Sequence, residues 1–139
     1  QETGVEFAGF ALGLHPWWVA GDEAADDALA DRLSRAVERA LANGAPLWAI
    51  GECGLDAGKQ YAPRSRQLAW VARHVDLARR HALPLILHAV GAQGTLLHLL
   101  DELRAPPSIV HGFTGAPEMA LAYVRRGHRL GFGRALLDP

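Results

Sequence analysis

The sequence predicts a parallel α/β domain. Five short apolar runs alternate with four longer helical patterns, no turn signal joins two runs into a hairpin, and the runs are apolar throughout instead of alternating with polar residues. Strands that alternate with helices pair in parallel through right-handed crossovers. Unbroken apolar runs indicate strands covered on both faces. No low-complexity segment or long linker interrupts the order, so residues 1–139 are read as one domain.

The elements follow in chain order. GFALGLHP (9–16) is a strand candidate closed by Pro16. DEAADDALADRLSRAVERALANG (22–44) is helical, with acids gathered at its start and arginines toward its end as the helix dipole favours. Asn43-Gly44 suits its C-terminal cap. APLWAIGECGLD (45–56) is the second strand candidate. Residues 63–82 form the second helix, with Pro63 in its first turn. LPLILHAV (83–90) is the third strand, TLLHLLDELR (95–104) the third helix and PSIVHGFTG (107–115) the fourth strand. APEMALAYVRRG (116–127) is the fourth helix and HRLGFG (128–133) the fifth strand.

Two architectures fit this order. A doubly wound sheet of the dinucleotide-binding kind wants GxGxxG directly after its first strand, and GFGRAL (131–136) is only a late fragment of that pattern. A complete (β/α)₈ barrel needs roughly 250 residues. The chain holds units for a little more than half of one.

Composition narrows the function classes. Half the residues are hydrophobic, 14 are Lys or Arg against 15 Asp or Glu, and the net charge is −1. Mean hydropathy is +0.02, the value of a globular chain. No basic excess supports a protein held on nucleic acid by charge alone. The single cysteine, Cys53, cannot form an internal disulfide, which fits a reducing, cytoplasmic setting. No run reaches the ~18 apolar residues of a membrane span, and no leader pattern opens the chain. Gln1 in place of Met leads us to expect a piece of a longer product.

The chemistry gathers at strand ends. LWAI runs into Gly51-Glu52, LIL into His88 and IV into His111. Ligands bind at the carboxyl edge of parallel sheets, and strands ~4.8 Å apart let side chains from three of them meet. A carboxylate and two imidazoles suit zinc, manganese, iron or nickel. Such an ion acidifies water near neutral pH, which is hydrolytic chemistry. A lone strand-end histidine is most often a hydrogen-bonded structural residue; the repetition at three successive strands is what favours a metal site. His15 ends the first strand on the same edge and either faces substrate or closes a turn. His74, His81, His98 and His128 are expected to be surface or capping residues. Cys53 is expected to pack away from Glu52, because neighbouring strand residues face opposite sides. Trp17 and Trp18 are expected to cover the mouth of the core; stacking a base of single-stranded nucleic acid is the alternative.

GLHP, AIGECGLD, LPLILHAV, IVHGFTG and GFG, in that order, resemble the TatD family of metal-dependent hydrolases. The resemblance runs through nearly the whole chain. It implies a (β/α)₈ barrel, here an incomplete one of about five β/α units, and an enzyme that cleaves phosphodiesters, DNA among them, or small esters, with one or two divalent metal ions in the family and at most one well-formed site in this chain. It implies that Glu52 is the glutamate shared between metals and that His88 and His111 complete the second metal. His15 is then the rim histidine of GxHP, with a catalytic role beside Glu52, and Asp56 a supporting acid.

The departures are specific. No HxH pair occurs anywhere, the late-strand aspartate motif is missing, and Asp138 does not supply it. Trp17 stands where a histidine usually follows GxHP, and Ala89-Val90-Gly91 replace a Ser-Arg type of continuation. The expected chain is the central part of such a protein. It is a hydrolase that can be inactive alone, or a non-catalytic metal-binding scaffold that needs a partner chain. Its unpaired strand edges are expected to drive self-association.

Overall fold

The computed structural model describes residues 9–19, 22–58 and 61–133; Asp138 lies outside them. The described residues form β1 (Phe10–Leu12), a 3-10 turn (Pro16–Trp18), α1 (Glu23–Ala42), β2 (Leu47–Asp56), α2 (Arg64–His81), β3 (Leu85–Val90), α3 (Gln93–Glu102), β4 (Ile109–His111), α4 (Pro117–Arg125) and β5 (Arg129–Leu130). All five strands pair in parallel, in the order β1-β2-β3-β4-β5.

That order decides between the two architectures. A doubly wound sheet reverses direction at a switch point. A sheet whose spatial order is its chain order, joined by right-handed crossovers, keeps its helices on one face and curls as a barrel arc. The parallel five-strand arc is the incomplete barrel that the motifs imply.

Local chemistry sets the boundaries. The Asp22 carboxylate caps α1 by accepting the Ala25 N–H at 2.8 Å. Pro63 sits at the N-cap of α2 and not inside its first turn. α2 ends at Ala82, in the left-handed region at φ 53°. α3 spans 93–102 against the expected 95–104, because Arg104 turns left-handed at φ 50° and stops it. β4 keeps only three of the nine residues expected, since Gly112 at φ 58° turns the chain out of the ladder.

Register sorts the side chains by face. Cys53 pairs with Leu87 and Leu87 with Val110, and all three are fully buried. They pack with Val71, Val75 and Ala78 of α2 and with Leu96 and Leu100 of α3. Gly54 pairs with His88 and His88 with His111, so these positions share the opposite face. Just before these two steps, the register shifts at Gly51/Cys53 and leaves Glu52 without a ladder partner. The Gly51–Glu52 peptide is cis.

Two expectations for the histidines are corrected here. His98 is exposed and pairs with Glu102, as a surface residue would. His74 is fully buried and His128 is 6% exposed. Each has a backbone partner that makes burial affordable: the Leu14 N–H for His74 and the Ser108 N–H for His128.

Candidate metal centre

Glu52 owes its position to the glycines around it. A Cβ on Gly54 would lie 2.0 Å from the His88 carbonyl oxygen, and Gly54 has φ +147°. Any larger residue would push β2 off β3 at the step where Glu52 and His88 come together. The glutamate is therefore presented by a strand that approaches its neighbour closely on either side of it.

Three side chains converge toward the carboxyl side of the sheet: His15 lies beyond β1, while Glu52 and His88 lie within β2 and β3, which run on to Asp56 and Val90 instead of ending at these residues. His15, Glu52 and His88 each offer one ligand atom, all within 4.8 Å of one another. His88 Nδ1 lies 3.2 Å from Glu52 Oε1 and 3.1 Å from His15 Nε2, and His15 Nε2 lies 3.8 Å from Glu52 Oε1. All three are partly exposed, and His15 and Glu52 line a cleft of about 490 Å³ together with Gly13, Leu14, Trp17 and Trp18. His111 occupies the register position beside His88 on β4 and is exposed, outside this group of three among the described residues.

Asp56 completes the arrangement from behind. Its Oδ2 lies 2.9 Å from His88 Nε2 and accepts the Trp17 indole N–H at 2.8 Å, while Oδ1 accepts the Gly58 N–H at 2.8 Å. Burial alone would raise this carboxyl. The bonds from Trp17, His88 and Gly58 outweigh it and hold the group below the ordinary carboxylate range. Asp56 is thus ionised and only accepts, so the ring proton of His88 lies on Nε2. His88 Nδ1 faces the Glu52 carboxylate at 3.2 Å and His15 Nε2 at 3.1 Å. A carboxylate orienting a histidine from behind is the usual support of a metal-ligating imidazole.

His15 also carries its proton on Nε2. Its Nδ1 accepts the Trp17 backbone N–H at 3.2 Å, which caps the 3-10 turn. The proton of the neutral ring therefore sits on Nε2, facing His88 and the cleft. Burial first, and the neighbouring His88 second, lower the His15 pKa and keep the ring neutral, against the pull of Glu52 and Asp56. The set thus brings His88 Nδ1, the Glu52 carboxylate and the His15 Nε2–H to the same point. This set fits a divalent cation held by His88 and Glu52 beside a hydrogen-bond donor.

Trp17 and Trp18 do not cover the core. Trp18 is 71% exposed. Trp17 stacks on Tyr61, with ring centroids 5.4 Å apart, and spends its indole N–H on Asp56. Cys53 is sealed in the core; burial first and the Glu52 charge second push its thiol pKa up, so it is no nucleophile.

The sequence pattern passed over three contributors: Trp17 as the donor to Asp56, and Gln67 and His74 on α2. The signal for the last two was present. They are polar residues on the stripe of α2 that also carries Trp70, Val71 and Ala78, and a polar residue on an apolar stripe has a buried partner.

A barrel arc whose strand ends gather imidazoles and a carboxylate is the layout of a metal-dependent barrel hydrolase. Comparison with known proteins makes the class specific. The family model described as TatD related DNase matches residues 3–138, and the chain belongs to that family. It is 33% identical over 130 residues to the uncharacterized metal-dependent hydrolase YjjV of Escherichia coli, covering 93% of this chain and 48% of YjjV. It is 36% identical over 117 residues to the 3'-5' ssDNA/RNA exonuclease TatD of Cronobacter sakazakii, covering 83% of this chain and 44% of that protein. Among solved structures, it matches that of YjjV with a TM-score of 0.74 at 33% identity, over 86% of this chain and 44% of that one. A TatD family hydrolase from Entamoeba histolytica matches with a TM-score of 0.75 at 25% identity, over 89% of this chain and 41% of that one. The chain spans about half the length of these relatives.

Proposed function

We propose that this chain carries the metal-binding part of a hydrolase that cleaves phosphodiester bonds, with single-stranded nucleic acid as the substrate class. The carrying observation is the His15, Glu52 and His88 cluster, with Asp56 fixing the proton of His88. Family membership and the printed activity of the Cronobacter relative support the substrate class.

Glu52 and His88 Nδ1 are assigned as ligands of a divalent ion, zinc, manganese, magnesium, nickel or iron all suiting the donors. His111, in register beside His88, is assigned as the third ligand. When bound, such an ion acidifies water and stabilises negative charge on phosphoryl oxygens. His15 keeps its proton on Nε2 and offers it to an oxygen of the phosphodiester. Asp56 holds the His88 ring, and Trp17 holds Asp56. Hydrolysis adds water across one P–O bond, the oxygen joining phosphorus and a proton joining the departing oxygen.

The test is manganese- or magnesium-dependent turnover of a single-stranded oligonucleotide by the purified chain, with Glu52→Gln as control. Turnover lost in the variant supports the assignment; equal turnover removes it.

A second reading is favoured by the sheet edges. Among the described residues, β1 and β5 each pair on one side only. On this reading the chain is a metal-binding scaffold, joined through those edges to a partner or a second copy. A monodisperse monomer in gel filtration at high concentration would remove self-association.

A further inference from the structure

The β1–β2 ladder ends at Leu12 opposite Ile50, before either site-bearing segment has reached the cleft. His15 and Asp56 both lie beyond that point. Their backbones nevertheless find partners, and both partners come from one face of α2. The Leu14 N–H donates to His74 Nε2 at 2.9 Å. The Asp56 N–H donates to Gln67 Oε1 at 2.8 Å, and Gln67 Nε2 donates to the Asp56 carbonyl at 3.0 Å and to the Ala62 carbonyl at 2.8 Å. The next residue, Ala57, donates to Val90 on β3. Backbone direction alternates along a strand, so the polar groups of Asp56 point to the side where β1 has stopped. Gln67 stands in for the missing strand.

We propose that Gln67 and His74 are positioning residues that set Asp56 and His15 in register with one another from a single helix face. They sit seven residues apart, two helical turns and roughly 10 Å along the axis. They are 2% and 0% exposed, and Trp70 between them supplies the carbonyl that His74 Nδ1 contacts at 2.7 Å. Both ring nitrogens of His74 are therefore committed: Nδ1–H donates and Nε2 accepts. Burial pushes its pKa down to about 4, in keeping with a neutral ring used purely for hydrogen bonding. An apolar side chain in this space would leave the Leu14 and Asp56 backbone groups without these partners; three of the pair's five hydrogen bonds go to those two residues, which carry the site. Through Leu14, His74 places His15; through the Asp56 backbone, Gln67 places the carboxylate that orients His88.

The inference rests on the reading of His15 and Asp56 as parts of the site, but its test needs no turnover, so the two fail separately. In the ¹⁵N-labelled chain, long-range ¹H–¹⁵N correlation reads the His15 tautomer, and amide exchange reads Leu14 and Asp56. His74→Leu is expected to speed Leu14 exchange by at least roughly tenfold and to turn the single Nε2–H tautomer of His15 into a mixture, leaving Asp56 exchange unchanged. Gln67→Leu is expected to do the converse. His74→Gln, whose amide can both donate and accept, is expected to restore the wild-type pattern, and it carries the test alone if His74→Leu does not fold. An unchanged His15 tautomer in folded His74→Leu, or a mixed tautomer in His74→Gln, overturns the proposal.

Discussion

Acidification from pH 7.5 to pH 5 should destabilise this protein through His74. The ring is neutral and fully buried, with a folded pKa of about 4 against an ordinary value of 6.5. Burial is the principal cause, partly opposed by the hydrogen bond to the Trp70 carbonyl. The folded pKa is the depressed one, so the unfolded chain takes up a proton that the folded chain refuses. The contribution to stability is complete above about pH 6.5 and is lost as pH falls toward 4. Each pKa unit corresponds to 1.36 kcal/mol, so the loss reaches about 2 kcal/mol at pH 5 and about 3 kcal/mol by pH 4. Protonation would also set an N–H against the Leu14 N–H, so the refusal has a geometric cause. The assay is urea denaturation of wild type and His74→Gln at both pH values. Wild type should lose about 2 kcal/mol more than the variant between pH 7.5 and pH 5. Equal losses in the two proteins, or a His74 ring titrating near 6.5 by NMR, would refute the reasoning.

Other expectations follow from the same geometry. Gly54→Ala forces a methyl group against the His88 carbonyl and should cost at least about 1–3 kcal/mol in denaturant melts; an unchanged melting midpoint contradicts the close approach of β2 and β3. Asp56→Asn keeps the side-chain shape but removes the charge that orients His88, so divalent-ion affinity should fall about 10–100-fold by calorimetric titration. Unchanged affinity would dismiss Asp56 as the orienting group. Cys53 should resist thiol reagents in the native protein and react in 6 M urea, a concentration of about the usual order for full unfolding. Rapid native labelling would show that β2 does not bury it.

The parallel order of strands and helices was legible in the sequence because each strand is a short apolar run and each helix has its own cap or stop. So were Glu52 and His88, because both end such runs at the edge where parallel sheets bind ligands. Boundaries were less legible where a single backbone conformation decides them. Gly112 cuts β4 to three residues and Arg104 ends α3 early, and neither position is marked by the apolar pattern. The direct contact of His15 with His88 was not readable from spacing, since it depends on the 3-10 turn that aims the ring. The register shift beside Glu52 was equally hidden; a bulge leaves no trace in an apolar run. Trp17 looked like a rim aromatic because its indole N–H has its partner 39 residues away, at Asp56.

The most direct measurement is the equilibrium binding of a divalent ion to the purified chain, read by calorimetry and by elemental analysis after dialysis. With zinc or manganese, wild type should retain a bound ion, while Glu52→Gln and His88→Ala should each bind at least about tenfold more weakly. No retained ion in the folded wild type, or equal binding in both variants, would contradict the assignment of this cluster as a metal centre.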